Sequence, residues 1–116
     1  MTTDPGCIFC KIVSGQIPST QVYRDDTAVA FNDIHPAAPI HVLVVPARHV
    51  TFLTGLRAED EPLLGHLVRV GSTLASQKGI DGSGYRLLIN QGSNAGQQVD
   101  HLHVHVLGGR RLGAIG

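Results

Sequence analysis

Apolar and polar residues alternate along His101-Leu102-His103-Val104-His105-Val106, and Leu107 closes the run. A period of two predicts a β-strand, whose side chains point to opposite faces in turn. His101, His103 and His105 then share one face, and Leu102, Val104 and Val106 share the other. Upstream, residues 20–25 and 28–33 read as a hairpin turned at Asp25-Asp26. Residues 40–46 form an apolar, β-branched run bounded by prolines, which suits a central strand. Residues 84–90 supply a further strand. Over residues 58–78 the period changes. Leu63, Leu67, Val70 and Leu74 fall on one helical stripe, widened by Leu56, Leu64 and Val68. Glu59, Asp60 and Glu61 crowd the first turn, where the helix dipole favours negative charge. Pro62 is tolerated that early, and Gly79 suits the C-terminal cap. Runs of strands with a segregated helix predict an α+β fold with a five-stranded, mainly antiparallel sheet. Residues 7–116 read as one domain.

Composition narrows the function. The chain has 116 residues and a formal net charge of zero, with no basic run for an extended nucleic acid. No apolar run approaches the ~20 residues of a membrane span. Met1-Thr2-Thr3-Asp4-Pro5-Gly6 lacks the basic and apolar regions of a secretory leader. The two cysteines, Cys7 and Cys10, are near neighbours, unlike a secreted disulfide framework. A cytoplasmic protein is expected.

The chemistry gathers in a few places. Three imidazoles on one strand face, about 6–7 Å apart from the rise of a strand, can bind a metal or anion or do acid–base and nucleophilic work near neutral pH. Cys7-Ile8-Phe9-Cys10 can chelate a metal, act as a dithiol pair, or simply pack as two buried thiols. Two thiolates need two more ligands to make a structural zinc site. Asp33, ahead of the bend His35-Pro36-Ala37-Ala38-Pro39, can cap a turn or accept two hydrogen bonds from a vicinal diol. The loop from Gln91 to Asp100 is polar and glycine-containing, fit for an ordinary connection or a phosphate cradle.

The histidine strand resembles the His-φ-His-φ-His-φ-φ motif (φ apolar) of the histidine triad family of nucleotide hydrolases and transferases. Phe31-Asn32-Asp33-Ile34, Ala38-Pro39-Ile40-His41, Val44-Val45-Pro46 with His49, Leu63-Leu64-Gly65-His66-Leu67 and Leu107-Gly108-Gly109-Arg110 are similar to its Hint-type branch. The likeness runs colinearly over residues 7–110. It implies the family's fold, with a short N-terminal helix beside the long one, and a homodimer through helix 58–78. It implies that His103 is the nucleophile, that His105 donates protons or hydrogen bonds, and that His41 and His101 hold tautomers and carry protons. Phe9, Ile12, Ile34 and Leu43, with Ile8 and Phe31, would line a purine pocket. Asp33 would contact the ribose, and Asn90, Gly96, Gln97 and Gln98 would face the phosphate and ribose. Relatives carrying the cysteine pair commonly hold a structural zinc, which the resemblance would place on Cys7, Cys10, His49 and His101, and it implies no catalytic cofactor.

Two departures stand out. Gln98 replaces the usual serine, and the tail after Arg110 has neither the tryptophan nor the prolines of many relatives. The implied activity is hydrolysis of purine nucleoside 5′-monophosphoramidates through a nucleotidyl-histidine intermediate. Alternatives are a dinucleoside polyphosphate hydrolase, a nucleotide-binding regulatory module and a zinc–thiol redox module.

Overall fold

A computed structural model describes residues 4–116. Met1, Thr2 and Thr3, within the stretch read for a leader, lie outside the described residues. The elements are α1 (Ile8–Ser14), β1 (Gln21–Arg24), β2 (Ala28–Asn32), β3 (Ile40–Pro46), α2 (Glu61–Gln77), β4 (Tyr85–Leu88) and β5 (Val104–Gly108). The five strands form one sheet in the order β1-β2-β3-β5-β4, every neighbouring pair antiparallel. The α+β expectation and the two helices are as read from the sequence. Among the described residues, no helix is long and apolar enough to cross a membrane.

Local chemistry sets the element ends. Cys7 caps α1, its Sγ accepting from the Cys10 N–H, and Gly15 at φ 86° stops the helix in the left-handed region. Asp25 Oδ1 turns the β1–β2 hairpin by accepting from the N–H groups of Thr27 and Ala28 at 2.8 Å each. The long helix starts later than the acidic residues suggest. Ala58–Asp60 is a 3-10 turn, and the α-helix begins at Glu61 with Pro62 in its first turn, where a missing N–H costs nothing.

The sheet is buried on both faces. Ala28, Ala30, Val42, Val44, Val104 and Val106 face α2, packing on Leu67, Val70, Leu74 and Ala75. Val29, Phe31, Leu43 and Val45 face the other way, onto Phe9, Cys10, Ile12 and Val13 of α1. That double burial is why β3 reads as a continuous apolar run. Leu67 and Leu74 are each 1% exposed, and burial of a leucine side chain contributes about 1.5–3 kcal/mol.

β5 corrects the sequence reading in its bounds. The alternating stretch was expected to pair from residue 101 to 107, and the ladder instead begins at Val104. Its last partners are Val44 on β3 and Leu88 on β4, which sits opposite His105. Beyond Val44 the neighbouring strand approaches Pro46, which has no N–H to donate. Pro46 O accepts instead from His101 Nε2 at 2.9 Å. The Leu102 N–H goes to Val50 O. The alternation of faces nevertheless persists through His101 and His103: Leu102 joins the α2-side core, while both imidazoles lie against Phe9.

Candidate active site

His103, His105 and His41 meet between β5, β3 and α1. The His103 and His105 ring centroids are 4.9 Å apart, closer than extended-strand spacing suggests because the rings tilt towards each other. Phe9 stands edge-on to His103, with centroids 5.2 Å apart.

Hydrogen bonds assign the protons. The backbone N–H of Ala37 donates to His41 Nδ1 at 3.0 Å, so that nitrogen carries no proton. The His41 proton therefore sits on Nε2, which lies 2.9 Å from His105 Nδ1 and 3.5 Å from Asp33 Oδ2. Taking the shorter contact, His41 donates to His105 Nδ1, which places the His105 proton on Nε2. That nitrogen is buried and has no hydrogen-bond partner among the described residues. His103 Nδ1 donates to the carbonyl of His101 at 2.7 Å, leaving a lone pair on Nε2. The strand thus presents a bare nitrogen on His103 beside an N–H on His105. Burial pushes the His105 pKa down to about 4, with the neighbouring His103 and His41 adding to the effect. Burial also lowers His41, against the pull of Asp33. Both imidazoles are held neutral near pH 7.

A cavity of about 230 Å³ opens on this pair. Its apolar wall is Ile8, Phe9, Ile12, Phe31, Ile34 and Leu43, and its polar rim includes Asp33, Gln98, His103 and His105. Ile34 is 82% exposed at the mouth, an unusual place for a large aliphatic side chain and a natural cover for a flat apolar ligand. Asp33 Oδ1 accepts from the His35 N–H at 2.8 Å, so its turn-capping role is realised, and Oδ2 remains towards the histidines. A second, more open groove of about 510 Å³ shares Ile8, Gln98 and Val99 and runs over Cys7 and His49. The first cavity is lined by His103 and His105 and is the candidate site.

Several expected residues sit elsewhere. Asn90, Gly96 and Gln97 are not among the cavity walls. Gln97 accepts from the Gly92 N–H and donates to Val99 O, bracing its own loop. His101 does not show its imidazole to the cavity; its carbonyl is what reaches His103. Ile17, Pro18, Ser19, Asn32 and Val99 also line the cavity, and the sequence pattern does not assign them to it. Ser19, a polar residue two positions before β1, was the available signal; among the described residues its Oγ is buried without a partner.

Beside the catalytic face, Cys7, Cys10, His49 and His101 bring their ligand atoms within 4.8 Å of one another. Their second nitrogens are already engaged. His101 Nε2 donates to Pro46 O, and His49 Nε2 lies 3.0 Å from Thr51 Oγ1. Both Nδ1 atoms therefore face the sulfurs, at 3.3 Å for His101 to Cys7 and for His49 to Cys10. Two thiols and two oriented imidazoles fit a four-coordinate structural metal, with the outer contacts such sites have. Burial holds the Cys10 thiol above its ordinary pKa, so a metal must displace its proton. Asp33, His41 and His105 are a second close group, but the His41–His105 hydrogen bond occupies the facing nitrogens.

Residues 6–113 match the protein-family model described as "Scavenger mRNA decapping enzyme C-term binding". The chain is 45% identical over 106 residues to the purine nucleoside phosphoramidase of Escherichia coli (strain K12), covering 91% of this chain and 89% of that one. A histidine triad protein from Clostridium difficile superposes with a TM-score of 0.94 at 43% identity, covering 99% of this chain and 100% of the other. A family hydrolase from Legionella pneumophila Philadelphia 1 gives 0.89 at 42% identity, covering 91% and 95%. With its histidine face, its fold and these likenesses in agreement, the chain belongs to the histidine triad family of hydrolases.

Proposed function

We propose that the protein hydrolyses purine nucleoside 5′-monophosphoramidates at the P–N bond, through a nucleotide carried transiently on His103. The observation that carries this is the pairing of the His103 Nε2 lone pair with the His105 Nε2–H at the mouth of an apolar cavity. A neutral imidazole approaches an anionic phosphorus without charge repulsion, and it divides one slow displacement into two. His103 Nε2 attacks phosphorus. The P–N bond breaks, and the amine leaves with the proton donated by His105. Water then displaces His103, and its proton returns to His105 Nε2. Asp33 would hold a ribose diol and Phe9, Ile12, Phe31, Ile34 and Leu43 the base, a reading supported by their lining one cavity, with Gln98 shared between that cavity and the second groove. Asn90, Gly96 and Gln97 would act through the loop they shape.

Zinc on Cys7, Cys10, His49 and His101 would tie α1 to the end of β3 and the start of the histidine stretch; its role when bound is to fix that geometry. Free neighbouring thiols suit a reducing cytoplasm. Exposed Val68 on the outer face of α2, beside half-buried Leu64, supports a homodimer through that helix.

Single-turnover hydrolysis of adenosine 5′-phosphoramidate tests the proposal. Fast release of AMP by the wild type, none by His103→Ala, and an acid-sensitive nucleotidyl adduct on His103 are expected. Nucleotide binding without hydrolysis by the wild type would overturn it.

A further inference from the structure

Two residues just past β5 lie on the bend that feeds His41. Gly109 has φ 92°, and a Cβ built there would stand 2.9 Å from Pro39 Cβ, so the backbone passes directly over that proline. Arg110 then spans two carbonyls. Its Nη2 donates to Ala37 O and its Nη1 to Arg111 O, both at 2.9 Å. Ala37 is also the residue whose N–H reaches His41 Nδ1. The planar peptides on either side of one Cα leave only φ and ψ free, so anchoring the carbonyl restricts where the N–H can aim. That N–H decides the tautomer of His41, and through the 2.9 Å contact it decides the tautomer of His105.

We propose that Arg110 is a positioning residue: by holding the Ala37 carbonyl it keeps the Ala37 N–H on His41 Nδ1 and thereby sets the proton on His105 Nε2. The catalytic consequence rests on the hydrolase mechanism given above; the tautomer consequence does not. Arg110 touches no cavity wall, and its guanidinium lies at the surface. Its effect on the chemistry runs through Ala37 and His41.

The experiment compares full-length wild type, Arg110→Ala, Arg110→Lys and Arg111→Ala. Long-range proton–nitrogen NMR spectra of the free protein report which nitrogen of His41 carries the proton. Steady-state hydrolysis of adenosine 5′-phosphoramidate reports kcat and KM. Arg110→Ala is expected to mix the His41 tautomers and to lower kcat on the order of tenfold, a fraction of what a positioned proton donor supplies. KM should stay within about twofold, since the base and ribose contacts are untouched. Arg110→Lys keeps one donor for Ala37 O and should restore both the spectrum and most of kcat. Arg111→Ala should change neither. A His41 spectrum identical in Arg110→Ala and wild type overturns the proposal whatever the rate does, and so does an altered spectrum with unchanged kcat. A wild type that fails to cleave the phosphoramidate overturns the substrate assignment instead, and the spectra alone then decide the role of Arg110.

Discussion

His103 donates from Nδ1 to the carbonyl of His101 at 2.7 Å, while the imidazole of His101 turns away to the two thiols. One residue therefore serves His103 with its backbone and the Cys–His cluster with its side chain. Replacing His103 by alanine should lower single-turnover hydrolysis by about four orders of magnitude or more, the scale seen when a covalent nucleophile is removed. The fold should persist, since a residue on the cavity wall is lost and the α2-side core is intact. Circular dichroism and thermal melting of the variant check that second part.

Acid should weaken the fold before it protonates ordinary carboxylates. His105 titrates near 6.5 in an unfolded chain and at about 4 in the folded one, chiefly because it is buried. Between those values the unfolded chain binds the extra proton, so stability falls as pH drops from about 6.5 towards about 4. His41, also lowered by burial, acts in the same direction. Thermal melts at pH 7.5, 6 and 5 should show a falling midpoint, and His105→Gln should flatten the trend.

Metal content should follow the Cys–His cluster and be independent of His103. Zinc at about one ion per chain is expected for four convergent ligands. Cys7→Ser should lose it and lower the melting midpoint by several degrees, as removal of a structural metal does. His103→Ala should retain it. Elemental analysis of the purified variants separates these outcomes.

Asp25 links three segments. Its carboxylate accepts from Tyr23 Oη, from the N–H groups of Thr27 and Ala28, and from His66 Nε2 on α2 at 2.6 Å. Burial pushes its pKa up, but these hydrogen bonds outweigh it and hold the carboxyl well below the usual range. A depressed acid stabilises the fold above its unfolded pKa, and that contribution fades as pH falls below about 4. Asp25→Ala should cost about 2 kcal/mol, the worth of hydrogen bonds to a charged acceptor. Urea unfolding at pH 7 measures it, and the loss should shrink at pH 3.

The face assignment of the histidine strand was legible because period-two alternation is a property of the chain itself. Where its ladder begins was not, since that depends on where β3 and β4 stop and on Pro46 having no N–H. The apolar wall of the cavity reads as core by composition alone; Ile34, 82% exposed, shows why only the family likeness could place it at a mouth. Gln97 illustrates the reverse limit. An amide before three histidines looks like a ligand contact, but its loop needs that amide for its own hydrogen bonds. Ser19 and Ile17 were opaque because a connection becomes a cavity wall only through the way it packs.

The order of strands in space has a consequence for how the chain assembles. β5 follows every other strand in sequence, yet it lies between β3 and β4. Until it inserts, the apolar edge of β3 is open, and β4 has no neighbour. Pairings of such long sequence separation are slow to form, and an open apolar edge is the surface on which chains stick to one another. The strand that carries His105 is therefore also the one that seals the sheet. A chain that has not finished folding has neither a closed sheet nor the His41–His105 contact that bridges β3 and β5.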